Sequence, residues 1–294
     1  AGYKAAFPDL AAEFERTQKG VRKPGWEKAI PVFPADKPMA TRNAGGAVMN
    51  AIAGDVPELF GGAADLTAST KTIFKPGANF HVDPAGRNVY FGVREFGMCA
   101  AVNGMAAHGG LVPFGSTFFV FSDYCKPALR LAALMQVHSL FVFTHDSVAL
   151  GEDGPTHQPI EHLMALRAVP GMTDFRPADA NETAAAWRIA LERTGPSFFA
   201  LTRQDLPVID AAKTDVLAGV RKGAYVLADA ENPQVILVGT GADLAEATLG
   251  KDPAGVEDRD PVTILRLLHE MGGDDHRYPL VGKRGDPPPE GAPR

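Results

Sequence analysis

Nine residues, GEDGPTHQP at 151–159, bring two acids, one histidine, two glycines and two prolines together. Glycine and proline at that density break both a helix interior and a central strand. The segment is therefore expected as a rigid loop carrying Glu152, Asp153 and His157. It follows LFVFTHDSVAL, an apolar run that reads as a buried strand. Polar side chains on a loop at a strand end stand where scaffolded chemistry is commonly done, against the plainer reading of an acidic surface turn. His145, Asp153 and His157 fall within thirteen residues, which favours a site. Their spacing matches no common zinc pattern, which disfavours a metal.

Three other groups could do chemistry. Glu95 lies where NVYFGV meets a helix, among apolar and glycine neighbours. A carboxyl there tends towards its neutral form and can donate or shuttle a proton. The same position also suits a glutamate that only complements a helix dipole. Phe118, Phe121 and Tyr124 recur at i, i+3, i+6, placing three rings on one side of a helical turn. Such a stripe is more often core than cofactor box, yet it could stack on a flat heterocycle. Arg42, Ser69 and Arg203 could hold a phosphate through charge-assisted hydrogen bonds. His81, His108, His138 and His162 are assigned to structure or surface.

These residues need a scaffold. Residues 3–19 read as one helix stopped by Gly20, so 1–20 is expected to end a preceding domain. Residues 21–38, rich in proline, form an ordered linker. From 39 to 207 apolar strands alternate with helices: a helix over 41–53, strands at 58–66 and 88–93, a small-residue helix after Arg94, and a strand from 111 that turns at Gly115–Ser116. A helix over 126–136, the strand 139–145, a helix at 160–169, TDFRPAD, a helix over 180–194 and SFFALTR complete the set. That alternation implies an α/β fold, a doubly wound, mostly parallel sheet flanked by helices. Ligands of such sheets bind beyond the carboxyl ends of the strands. The rule selects Asp65 to Thr70, Arg94–Glu95, residues 145–157 and Arg203. Residues 208–250 open an incomplete second α/β domain, with a turn at Asn232–Pro233. The tail 251–294 has one helical patch, TILRLLHEM, and is expected to pack poorly or be disordered.

The 294 residues carry a net charge of −6, with 45% hydrophobic and 22% charged residues. This is the composition of a globular protein and argues against broad nucleic-acid binding, while leaving room for small phosphorylated ligands. No apolar run approaches a membrane span. Cys99 and Cys125 form no disulfide framework, so a cytoplasmic location is expected.

GGAADLTAST, YFGVREFGMCAAVNGMAAHGG, PFGSTFFVFSDY, FVFTHDSVALGEDGPTHQPIEHL and FFALTRQDLP closely resemble the pyrimidine-binding middle domain of transketolases, from about residue 1 to about 250. The resemblance implies the thiamine diphosphate-binding fold and transfer of a two-carbon ketol unit between sugar phosphates in the pentose phosphate pathway. Glu95 matches the glutamate that hydrogen-bonds the aminopyrimidine and favours its imino tautomer. Phe118, Phe121 and Tyr124 match the pyrimidine pocket, and Asp65 an acid near the thiazolium. Asp153 matches the acid that reads a substrate hydroxyl, and His157 a histidine bonded to the donor sugar. Arg42, Ser69, His145 and Arg203 match the phosphate-holding groups, with His145 also counted among the catalytic set.

Transketolases bind the diphosphate through Mg²⁺ with a GDG motif and a later Asn. No GDG occurs here, so the metal ligands are expected outside this chain. Family geometry places the cofactor between two chains. A homo- or hetero-oligomer with an N-terminal transketolase half is therefore expected, with weak or no catalysis by this chain alone. From Lys251 the resemblance stops, as a truncated or frameshifted reading frame would produce. The alternatives are an inactive truncated paralogue acting as a binding module, or a related thiamine enzyme such as a deoxyxylulose phosphate synthase or a 2-oxo acid dehydrogenase β subunit.

Overall fold

The runs LFVFT and SFFAL are apolar but for Thr144 and Ser197 and buried throughout, because both faces of their strands are covered. The computed structural model describes residues 2–211, 214–229, 231, 233–244 and 262–267. In chain order its elements are α1 (Gly2–Ala6), α2 (Pro8–Gln18), α3 (Thr41–Ile52), β1 (Leu59–Ala63), α4 (Thr67–Thr70), β2 (Asn88–Tyr90), α5 (Glu95–His108), β3 (Val112–Phe118), α6 (Ser122–Met135), β4 (Leu140–Thr144), α7 (His162–Arg167), β5 (Thr173–Phe175), α8 (Ala180–Glu192), β6 (Ser197–Leu201), α9 (Val216–Arg221), β7 (Ala224–Ala228), β8 (Val235–Gly239) and β9 (Val262–Leu267). Six strands form a parallel sheet in the order β2-β1-β3-β4-β6-β5.

The period-2 alternation of strand side chains divides the core in two. Leu140, Val142, Phe199 and Leu201 face α3 and α8 and join Met49, Trp187 and Trp26 in one cluster. Phe141, Phe143, Phe198 and Ala200 face the other way, onto Met98 and Cys99 of α5 and Cys125 and Leu129 of α6. Both cysteines are free and buried, and hydrogen bonding from Cys99 together with burial pushes the Cys125 thiol up. The small residues let α5 lie close to the sheet: a Cβ on Gly115 would come within 3.0 Å of Met98 Cγ.

The expected N-terminal helix is two pieces, α1 and α2, broken at Phe7 (φ −137°, ψ 68°). Pro8 pushes the residue before it out of the helical region. Arg16 then ties α2 to the start of β1, donating to both carboxylate oxygens of Glu58 at 3.0 and 2.9 Å, with Arg22 adding a bond at 3.2 Å. Burial raises the Glu58 pKa, but the hydrogen bonds from Arg16 and the charge of Arg22 outweigh it, so the carboxyl lies below its usual range. Its stabilisation is complete above about 4.5, the ordinary value, and is lost as pH falls through the lowered folded value. Glu58→Ala, which removes three hydrogen bonds from the two guanidinium groups while Arg16 keeps its pair with Glu13, is expected to cost about 1–3 kcal/mol in chemical denaturation.

Two further expectations change. The strand from 111 does not turn at Gly115–Ser116. It runs on to Phe118 and turns through a 3-10 segment, Phe119–Phe121. Within TILRLLHEM the described residues form β9, not a helix. This strand lies between β7, antiparallel, and β8, parallel. Two neighbouring strands satisfy its backbone, and that non-local pairing overrides local helix propensity. Asn232 of the expected turn, and the tail apart from 262–267, lie outside the described residues.

Arg176, just after β5, links the two sheets. It bonds buried Asp146 at 2.9 Å and Asp243, in the segment after β8, at 2.8 Å. Burial pushes the Asp146 carboxyl up despite the opposing charge of Arg176.

Candidate functional site

β1 stands at the point where the strand order reverses, with β2 on one side and β3 on the other. Beyond the carboxyl ends of these strands lies a cavity of about 520 Å³. Asp65 and Leu66, after β1, form one wall. Val93 and Glu95, after β2, form another. Phe118, Phe121, Tyr124 and His157 close it. The three aromatic rings form a ladder, with Phe118 and Phe121 stacked at 6.0 Å (7° between planes) and Phe121 and Tyr124 at 6.2 Å. The expected stripe is thus real, although Phe118 ends a strand and only Tyr124 is in an α-helix. His157 sits edge-on to Phe121 at 5.5 Å and Phe118 at 6.1 Å. Glu95 is the first residue of α5 and half-buried. The position allows both roles open to it, since a carboxylate there complements the helix dipole and also lines the pocket. A mostly apolar slot with two acidic side chains, Asp65 and Glu95, on its walls fits an aminopyrimidine ring.

A second cluster adjoins the first. Thr41 and Thr202 lock the start of α3 onto the end of β6, with Thr202 N donating to Thr41 Oγ1 at 2.7 Å and Thr41 N to Thr202 Oγ1 at 3.0 Å. The next residue of each segment is an arginine, so one threonine pair positions both Arg42 and Arg203. Arg42 Nη1 donates to the Ser69 carbonyl at 3.0 Å and lies 3.4 Å from His145 Nε2. Burial and the charge of Arg203 both lower the Arg42 pKa. Two guanidinium groups close enough to repel favour an anion between them. Ser69 enters this cluster through its carbonyl, while the sequence reading concerned its polar side chain.

His145 is 2% exposed, and its ring lies 3.8 Å from that of Phe118. A guanidinium can only donate, so Nε2 accepts from Arg42 and Nδ1 carries the proton towards Thr144 Oγ1 at 2.8 Å. Burial first, then the charge of Arg42, lower its pKa to about 4, with Asp153 opposing. His145 is thus a neutral imidazole at pH 7. The ring should titrate near pH 4 by NMR, and Arg42→Gln should raise that midpoint by removing a positive neighbour. Because the folded value lies below the ordinary 6.5, His145 costs stability progressively as pH falls from 6.5 towards 4.

Asp65 and His145 have left-handed backbones, φ 63° and 62°, a conformation uncommon for residues other than glycine and often found at functional positions. Asp153 is exposed and in electrostatic reach of Arg42 and His145. The structure thus gathers Glu95, Asp65, the aromatic ladder and His157 in one cavity, and Arg42, Arg203, His145, Ser69 and Asp153 beside it. Sequence reasoning missed Thr41, Thr202 and Thr144, whose backing roles require knowing which segments meet.

Fold and site together define a doubly wound α/β module with a cofactor-type pocket at its switch point. The chain matches the family described as transketolase, pyrimidine binding domain, over residues 37–208, and it belongs to that family. In this family the domain takes the pyrimidine of thiamine diphosphate. The chain is similar to a transketolase of Geobacillus stearothermophilus, 55% identical over 261 residues that span 87% of this chain and 39% of the relative. It is 49% identical to one of Bacillus subtilis over 86% of this chain and 39% of the relative. Among solved structures it resembles Pichia stipitis transketolase in complex with sedoheptulose 7-phosphate, with a TM-score of 0.83 and 38% identity, over 92% of this chain and 40% of that one. It also resembles a split-gene transketolase in an inactive beta4 tetramer, with a TM-score of 0.60 and 25% identity, over 79% of this chain and 72% of that one. The chain therefore spans about two fifths of the curated relatives' length.

Proposed function

We propose that this chain is the pyrimidine-binding part of a transketolase that moves a two-carbon ketol unit from a ketose phosphate, such as xylulose 5-phosphate, to an aldose phosphate, such as ribose 5-phosphate, in the cytoplasm. The observation that carries the reading is the adjacency of two differently built sites: an aromatic slot with Glu95 on its wall, and a dicationic corner formed by Arg42 and Arg203. The slot suits a flat heterocycle; the corner suits a phosphate. Thiamine diphosphate, when bound, would supply a nucleophilic carbon that also accepts the electron pair released on C–C cleavage. Glu95 would hold a proton at the pyrimidine ring, and Phe118, Phe121 and Tyr124 would fix the plane of that ring and exclude water. His157 and Asp153 would bond substrate hydroxyls. His145, held neutral, would accept or donate one hydrogen bond without adding charge beside the two guanidinium groups.

Groups for the diphosphate and its Mg²⁺ would come from a segment or polypeptide bearing a GDG motif, in a homo- or hetero-oligomer. The likeness to a split-gene transketolase chain whose tetramer is inactive supports dependence on such a partner. A coupled assay with xylulose 5-phosphate, ribose 5-phosphate, thiamine diphosphate and Mg²⁺ tests the reading. Turnover is expected only when the GDG-bearing polypeptide is added. Turnover by this chain alone would refute the dependence, and none in either case would refute the transketolase reading.

A further inference from the structure

The first turn of α6 and the start of α7 meet at three side chains that the proposed function does not use. His162 is 4% exposed, its ring packed 6.1 Å from that of Phe119. Its Nε2 lies 3.1 Å from Asp123 Oδ2. Its Nδ1 is shielded from solvent and has no hydrogen-bond partner. On that side Glu161 Oε2 lies at 3.8 Å. That gap is too long for a hydrogen bond. It is a few tenths of an ångström wider than the separation of about 3.4 Å between two donors on a tetrahedral ion with bonds of about 2.0–2.2 Å, a difference the exposed Glu161 side chain can close. Both carboxylates are exposed, so an ion can arrive from solvent. Among the described residues this is the only group of three side chains with suitably converging donor atoms, all within 4.8 Å of one another.

A histidine with a purely structural role would normally have both ring nitrogens satisfied, since a buried nitrogen without a partner is costly. Here one nitrogen is bonded to a carboxylate and the other is left facing a second carboxylate. That is the arrangement of a metal-ligating imidazole, whose far N–H is held by an outer carboxylate. We propose that His162 Nδ1 and Glu161 bind a first-row divalent metal of the Zn²⁺ type, with water completing its coordination and Asp123 accepting the Nε2 proton. One imidazole and one carboxylate favour such an ion over Mg²⁺ or Ca²⁺, which take oxygen donors. None of the three side chains lines the aromatic cavity. Occupancy would tie the end of the 146–161 loop, which carries Asp153 and His157, to the helix that carries Tyr124. Sequence spacing conceals this site because its outer carboxylate is 39 residues from the imidazole.

Zn²⁺ itself is the probe, titrated into the whole chain against a chromophoric chelator, with Co²⁺ absorption as a second readout. One Zn²⁺ per chain is expected, weakened at least tenfold in His162→Gln and in Glu161→Gln and less in Asp123→Asn. Glu161 is exposed, so its variant remains informative even if His162→Gln fails to fold. Equal Zn²⁺ binding by wild type and Glu161→Gln would overturn the proposal. So would displacement of Zn²⁺ by equimolar Mg²⁺.

Discussion

Glu95→Gln is expected to lower ketol transfer about 10²–10⁴-fold, the range for loss of a positioned proton-transfer group, when assayed with a GDG-bearing partner. The substitution keeps the shape of the side chain and its place at the head of α5, so folding should be nearly unaffected. It removes the ability to hold a proton at the pyrimidine. Two readouts separate the proton role from the helix-dipole role: a merely dipolar glutamate would change the melting temperature slightly and leave turnover intact. Retention of more than a tenth of wild-type turnover would remove Glu95 from the chemistry.

The second large effect concerns the corner formed by Arg42 and Arg203. Replacing either with glutamine removes charge-assisted hydrogen bonds worth about 1.5–3 kcal/mol, or roughly 10–150-fold in binding. The loss should fall on KM for phosphorylated sugars and spare unphosphorylated analogues. Because the charge of Arg203 acts directly on Arg42, the double variant should not show the simple sum of the single effects. Equal losses for phosphorylated and unphosphorylated sugars would mean that the arginines support the loop rather than hold phosphate.

Much of this was legible in the sequence because the carriers are local. Apolar runs at 140–143 and 198–201 announce doubly covered strands, and the strand-end rule leads to Asp65, Glu95, His145 and Arg203 directly. What stayed hidden depends on segments meeting. The Thr41–Thr202 pair joins residues 161 apart. The neutral state of His145 follows from burial and from Arg42, 103 residues away. β9 is a strand because β7 and β8 flank it, and nothing in TILRLLHEM conveys that. Phe118 completes the ring ladder from a strand end, which helical spacing alone does not suggest.

The placement of Trp26 and Trp187 has a practical optical meaning. They are the chain's two tryptophans, and both belong to the cluster on the α3 and α8 face of the sheet, whereas the cavity is walled by phenylalanine, tyrosine and histidine. Intrinsic emission excited at the indole band therefore reports the integrity of one face and is blind to direct ring contact in the slot. A heterocycle entering the slot should leave that emission almost unchanged and should instead perturb the near-ultraviolet dichroism of Tyr124. A titration followed by indole fluorescence alone would then record silence where binding occurs.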